Sequence, residues 1–124
     1  MRILLADDSL LIRENLINLI SRIEGVEEIS EAEDVPRAIA HIKANPPDVV
    51  ILDLHMPSGS GLDVLSYIKE RNIDVKVIVL TNYATEYYRD KFLKQGAQYF
   101  FDKSTEFEKV ITLLGSMNIT TKGT

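Results

Sequence analysis

Short apolar runs alternate with longer stretches of helical periodicity along the whole chain. The runs predict strands over residues 2–6, 28–32, 49–52, 77–80 and 98–101. Ile3-Leu4-Leu5, Val49-Val50-Ile51-Leu52 and Val77-Ile78-Val79-Leu80 are unbroken and rich in branched side chains. Such runs mark strands covered on both faces, as in a parallel sheet sandwiched by helices. Glu28-Ile29-Ser30-Glu31-Ala32 is polar and alternating, which suits an edge strand whose charges discourage stray pairing.

Five helical patterns lie between and after these runs. Ile12, Leu16, Leu19, Ile20 and Ile23 form one stripe behind Ser9 as N-cap. Asp34 caps the second pattern, Pro36 sits in its first turn, and Pro46-Pro47 forbids its continuation. Leu62, Leu65 and Ile68 carry the third, after Gly59-Ser60-Gly61. The fourth runs through Tyr87, Tyr88, Lys91 and Phe92 to Gly96, a natural left-handed cap. Phe107, Val110, Ile111 and Leu114 carry the fifth. Strands alternating with helices imply right-handed crossovers. The predicted fold is α/β, a flavodoxin-like doubly wound (βα)5 with a five-stranded parallel sheet of order 2-1-3-4-5. One domain is expected over residues 1–115, then a short polar tail over 116–124 and no output domain.

Composition narrows the function classes. A chain of 124 residues with 45% hydrophobic and 27% charged residues is long enough for one packed core. A net charge of -5 argues against direct contact with nucleic acid, which needs a basic footprint. There are no cysteines, so a disulfide framework and a thiolate metal site are excluded. The N-terminal apolar run is too short for a signal peptide, and no stretch approaches the ~18 apolar residues of a membrane span. The expectation is a soluble, cytoplasmic protein without membrane or nucleic-acid partners.

The chemistry lies in where the polar residues fall. The first strand ends in Asp7-Asp8, the third in Asp53, the fourth in Thr81-Asn82 and the fifth in Asp102-Lys103. In a parallel sheet these ends share one edge. Carboxylates brought together there repel one another unless a cation joins them. An all-oxygen donor set with no clustered His or Cys suits a hard ion, Mg²⁺ or Mn²⁺. A carboxylate can also attack phosphorus and form an aspartyl phosphate, a transfer governed by position and charge neutralisation. Asp53, ending the most apolar strand, is the candidate nucleophile. Lys103 offers an ammonium and Thr81 a hydroxyl for the phosphoryl oxygens.

Asp7-Asp8, Asp53, Thr81 and Lys103, with Met56-Pro57 and Gly61 after the central Asp, resemble the receiver domain of two-component response regulators, from Arg2 to about Leu114. The resemblance implies that Asp53 is the phosphoacceptor, served by a sensor histidine kinase or phosphotransfer protein. It implies direct metal ligation by Asp8, Asp53 and the backbone carbonyl of His55, with Asp7 acting largely through a bound water. Thr81 and Phe100 would form a switch pair driving the surface of the fourth helix, fifth strand and fifth helix, and Lys103 would contact the phosphoryl group. His55 and Tyr83 would stand over the path of attacking water, with Asn82 between Thr81 and Tyr83. The chain departs from the family pattern at Asn82, where a small residue is usual. It departs again at Ser104, where proline commonly follows the lysine, and at Phe100, which lacks a tyrosine's hydroxyl.

Taken singly these residues are bland. Asp-Asp after a strand is a common turn or cap, a lone Lys is usually solvated, and Glu24, Glu27, Glu28, Glu31 and Glu33 read as a solvated face. Their convergence on one edge carries the reading. A phosphatase with an Asp nucleophile would need Asp-x-Asp after the first strand and a cap insertion, and both are absent from 1–124. A flavin carrier on this fold would need a Ser/Thr/Gly-rich phosphate loop, where Asp7-Asp8 would repel the phosphate. A receiver that never takes phosphate is disfavoured by the complete residue set. The expected role is therefore a signalling module rather than an enzyme, promoting only its own phosphorylation and dephosphorylation at Asp53. Its downstream target is not readable.

Overall fold

The structure, a computed structural model, describes the backbone of residues 1–122 and the side chains of residues 1–117. Along the chain run β1 (Arg2–Ala6), α1 (Leu10–Ile20), β2 (Glu28–Ala32), α2 (Val35–Ala44) and β3 (Val49–Leu52). A two-residue pair, β4 (His55–Met56) and β5 (Gly59–Ser60), follows. The rest is α3 (Gly61–Glu70), β6 (Lys76–Thr81), α4 (Glu86–Lys94), β7 (Tyr99–Asp102) and α5 (Phe107–Lys122). Five strands form one sheet in the order β2-β1-β3-β6-β7, every pair parallel. That is the predicted (βα)5 arrangement, with β6 and β7 as its fourth and fifth strands.

Period-2 alternation in the unbroken strands divides the core. Ile3, Leu5, Val49, Ile51, Ile78 and Leu80 meet Leu16 and Ile20 of α1 and Val110 and Leu114 of α5. Leu4, Ala6, Val50, Leu52, Val77 and Val79 meet Ala38 and Ile42 of α2, Val64 and Leu65 of α3 and Phe92 of α4. Both faces are covered, so the central strands carry no polar position between their ends. Ser9, Asp34, Ser60 and Thr85 cap four helices by accepting a backbone N–H, and Asp63 closes a capping box with Ser60.

One difference from the sequence reading has a simple cause. α5 continues as far as Lys122, into the segment read as a polar tail. Propagating an established helix adds a hydrogen bond per residue fixed without a new nucleus. Gly123 and Thr124 of that tail lie outside the described residues. Glu24, Glu27, Glu28, Glu31 and Glu33 are exposed, as the solvated-face reading expects, and at least four of them also meet cations. Glu27 pairs with the N-terminal ammonium, Glu28 with Arg2, Glu31 with Arg13 and Glu33 with Arg37.

Candidate functional site

Backbone hydrogen bonds carry the sheet one residue past its strands at the carboxyl edge. Asp7 N–H donates to the Ala32 carbonyl (3.0 Å), Asp53 N–H to Ala6 (2.9 Å) and Lys103 N–H to Thr81 (2.9 Å). These bonds fix Asp7, Asp53 and Lys103 beside one another, although they lie far apart in sequence. The loop after Asp53 turns back through Gly61, whose N–H donates to the Leu54 carbonyl at 2.8 Å. A Cβ on Gly61 would sit 2.5 Å from the Asp53 carbonyl oxygen and 3.2 Å from the Phe92 ring. Only glycine allows this approach.

Carboxylate oxygens of Asp7, Asp8 and Asp53 lie within 4.8 Å of one another; Asp7 and Asp53 are buried and Asp8 is exposed. The Lys103 ammonium bridges the two buried acids, 2.7 Å from Asp7 Oδ2 and 3.0 Å from Asp53 Oδ2. Their other oxygens accept backbone N–H groups, Asp7 Oδ1 from Ser9 (2.9 Å) and Asp53 Oδ1 from Leu54 (2.7 Å). Burial works against the Lys103 charge, but the hydrogen bonds to Asp7 and Asp53 outweigh it and hold its pKa above the ordinary lysine value. Burial dominates at Asp7, raising its pKa despite the bonds from Lys103 and Ser9. Three carboxylates against one ammonium leave an excess of negative charge, and all donors are oxygen. The set fits a hard divalent cation.

The remaining expected residues surround this cluster. Thr81 is fully buried, and its Oγ1 accepts the Tyr83 N–H at 3.1 Å, leaving its own hydrogen to donate. His55 and Tyr83 are exposed, with ring centroids 4.3 Å apart and planes at 87°. Asn82 between Thr81 and Tyr83 is also exposed. Phe100 is buried, its ring 6.0 Å from that of Phe92. No peptide bond among the described residues is cis, so Lys103–Ser104 is trans. The loop is held instead by Asp102, whose Oδ1 accepts both N–H (2.8 Å) and Oγ–H (2.7 Å) of Ser104. These bonds from Ser104 lower the Asp102 pKa.

Sequence reasoning missed Arg13 and Arg89. Arg13 is buried; its Nη1 donates to the Asp7 carbonyl at 2.6 Å and its Nε to Glu31 Oε1 at 2.9 Å. A signal was present, because Arg13, Leu16 and Ile20 share the buried face of α1 at helical spacing. A cation on an apolar stripe asks for an internal partner. Arg89 of α4 donates to the Phe100 carbonyl at 2.9 Å and lies over its ring. Nothing in local periodicity pointed to that contact.

A family model described as the response regulator receiver domain matches residues 3–114. The transcriptional regulatory protein YdfI of Bacillus subtilis is 33% identical over 122 residues, covering 98% of this chain and 55% of that protein. The oxygen regulatory protein NreC of Staphylococcus epidermidis is 36% identical over 112 residues, 90% of this chain and 51% of that one. The chain thus spans about half the length of the curated relatives it matches. Among solved structures, a LuxR-family DNA-binding response regulator from Staphylococcus aureus superposes with a TM-score of 0.85 at 26% identity, covering 94% of this chain and 98% of that one. The response regulator domain of Thermotoga maritima CheB gives a TM-score of 0.83 at 25% identity, with 97% and 94% covered.

Proposed function

Because the chain belongs to the response regulator receiver domain family of two-component signalling, we propose that Asp53 takes a phosphoryl group from a sensor histidine kinase or phosphotransfer protein. The observation that carries this reading is the buried Asp53 carboxylate, 3.0 Å from the Lys103 ammonium and grouped with Asp7 and Asp8 at the sheet's carboxyl edge. An Asp53 oxygen would attack phosphorus while the P–N bond of the donor histidine breaks. Leu54 N–H holds one carboxylate oxygen and so fixes the orientation of the other. Lys103 would move from the carboxylates to a phosphoryl oxygen, and the Thr81 hydroxyl would donate to another.

Asp8, Asp53 and the His55 carbonyl would hold Mg²⁺, or Mn²⁺, directly, and Asp7 would act largely through a water. When bound, the cation supplies charge neutralisation for the incoming phosphoryl group. Thr81 and Phe100 would form the switch pair. Phe100 is already buried, so the larger movement would fall to Thr81 and the loop that leads to α4. His55, Asn82 and Tyr83 would control access to the site. We assign residues 1–115 to the receiver unit, with a cytoplasmic setting and a partner surface on α4, β7 and α5. No described helix is long and apolar enough to cross a membrane.

Incubation with a small phosphodonor and Mg²⁺, followed by intact-mass measurement, tests the reading. The expected result is a gain of one phosphoryl group that is lost in Asp53→Asn. No gain with either a small donor or a phosphorylated histidine kinase would refute it.

A further inference from the structure

The Asp7 carbonyl stands where β1 has ended, so no neighbouring strand reaches it. Arg13 reaches it instead, from one turn inside α1, through a buried 2.6 Å bond. The guanidinium is anchored from the other side by Glu31 on the edge strand β2, at 2.9 Å. It therefore grips the peptide that joins Asp7 to Asp8, between one buried and one exposed carboxylate of the acidic cluster.

We propose that Arg13 is a positioning residue for the cation site, setting the Asp7–Asp8 peptide so that both carboxylates face Asp53. This rests on the reading of the acidic cluster as a Mg²⁺ site. Two features of the geometry favour a role beyond packing. The bond is to a backbone carbonyl, so it fixes a peptide plane rather than a mobile side chain, and both flanking side chains belong to the cluster. A planar guanidinium can also serve Asp7 and Glu31 together, because its donors are held in a rigid fork. Lysine offers a single ammonium on a flexible stem. Glu31 would act only as the anchor of the guanidinium, one step removed from the cation.

The test is calorimetric titration with Mg²⁺ of the unsubstituted chain, Arg13→Ala, Arg13→Lys and Glu31→Gln. Each is also melted in chelator, with amide spectra recorded to establish folding. Groups that orient metal ligands are typically worth 10–100-fold in affinity, so Arg13→Ala should raise the Mg²⁺ Kd roughly tenfold or more. Arg13→Lys should fall between, since it keeps a donor for the carbonyl. Glu31→Gln should melt lower, yet hold its Kd within about twofold because the carbonyl contact survives. If Arg13→Ala does not fold, Arg13→Lys decides by a raised or unchanged Kd. Folded Arg13 variants that bind Mg²⁺ as tightly as the unsubstituted chain while melting lower would reduce Arg13 to a structural residue and overturn the inference alone. An unsubstituted chain that binds no Mg²⁺ would overturn the cation reading with it.

Discussion

With its side chain 6% exposed, Lys103 is both the partner of the buried carboxylates and a competitor for any cation they attract. The two roles separate in Lys103→Met, which keeps the stem and removes the charge. Breaking a buried ion pair by removing one partner typically costs about 3–5 kcal/mol, so the cation-free protein should melt well below the unsubstituted chain. Mg²⁺ at ten times its Kd adds about 1.4 kcal/mol to any fold that binds it, and with its competitor gone that Kd should fall. The rise in Tm with millimolar Mg²⁺ is therefore expected to be larger in Lys103→Met; an equal rise would show that Lys103 does not compete. Asp102 answers to proton concentration instead. The pKa values of Asp102 and Glu106 lie below their ordinary values, held there first by Ser104 and by Lys109 respectively. A carboxyl whose folded pKa is depressed stabilises above its unfolded value, and that stability disappears as pH falls through the folded one. The raised Asp7 pKa has the opposite sign, its ionised form being disfavoured in the fold. Lys103, also raised, gives stability that is complete below the ordinary lysine pKa and is lost as pH rises through the folded value. The acid limb of a stability-versus-pH curve should thus flatten in Asp102→Asn, measured by urea unfolding between neutral and acid pH. An unchanged limb would exclude the Ser104 turn as its source.

Among the elements, the buried strands were the most legible. Residues 2–6, 28–32 and 49–52 were delimited correctly: a strand covered on both faces has no polar position except at its ends, and the edge strand 28–32 is set off by its polar, alternating pattern. Those polar ends also announced the acidic cluster. The fourth and fifth long strands begin or end a residue or two from the reading, with Lys76 and Thr81 added to one and Asp102 to the other, since a charged or hydroxylated strand end looks like a loop. The partners of Arg13 and Arg89 and the bridging of Asp7 and Asp53 by Lys103 were hidden for another reason. They are tertiary contacts, and periodicity shows which face of an element is apolar but not which polar atom lies opposite. The loops over the site belong to the same scale. The rings of His55, after β3, and Tyr83, after β6, pack edge to face across the two loops, and Tyr88 of α4 approaches His55 at 6.4 Å. Hydrolysis of an aspartyl phosphate needs water in line with the leaving oxygen, and bulky neighbours slow it by occupying that approach. Asn82→Ala is expected to speed labelling by a small phosphodonor, and Tyr83→Ala to shorten the phosphorylated lifetime, both by several-fold. Timed intact-mass measurements would read both, and unchanged or opposite rates in the two variants would show that access is not what these positions control.

On the scale of the whole molecule, the proposed switch requires one site to move one surface, and the connections are unequal. α2 contributes no side chain to the acidic cluster, whereas β6 and β7 carry Thr81 and lead directly into Lys103. The Lys103 N–H is bonded to the Thr81 carbonyl, so a shift of either loop is felt by the other. From there Arg89 of α4 reaches β7 and Glu106, the residue that precedes α5. Its Nη1 binds the Phe100 carbonyl at 2.9 Å, its guanidinium lies 5.1 Å from the centre of the Phe100 ring, and its Nη2 is 3.8 Å from Glu106 Oε1. Glu106 in turn accepts the Asp102 N–H at 3.1 Å. With no hydroxyl on Phe100 to change partners, Arg89 is the group through which α4, β7 and the start of α5 can respond together. In the proposed function, a phosphoryl group on Asp53 would add acceptor oxygens that draw Lys103 and Thr81 toward it and so bias this linked element. With Mg²⁺ and a non-hydrolysable phosphoryl mimic, the largest amide shifts away from the site are expected on α4, β7 and the first turn of α5. Arg89→Ala should cost about 1–3 kcal/mol of stability, from a part-buried hydrogen bond of a charged group and a cation–π contact. It should leave the shift at Thr81 intact while shrinking those at Glu106 and Lys109. Shifts confined to α1 and α2, or an Arg89→Ala variant with an unaltered pattern, would sink this account of how the site reaches the surface.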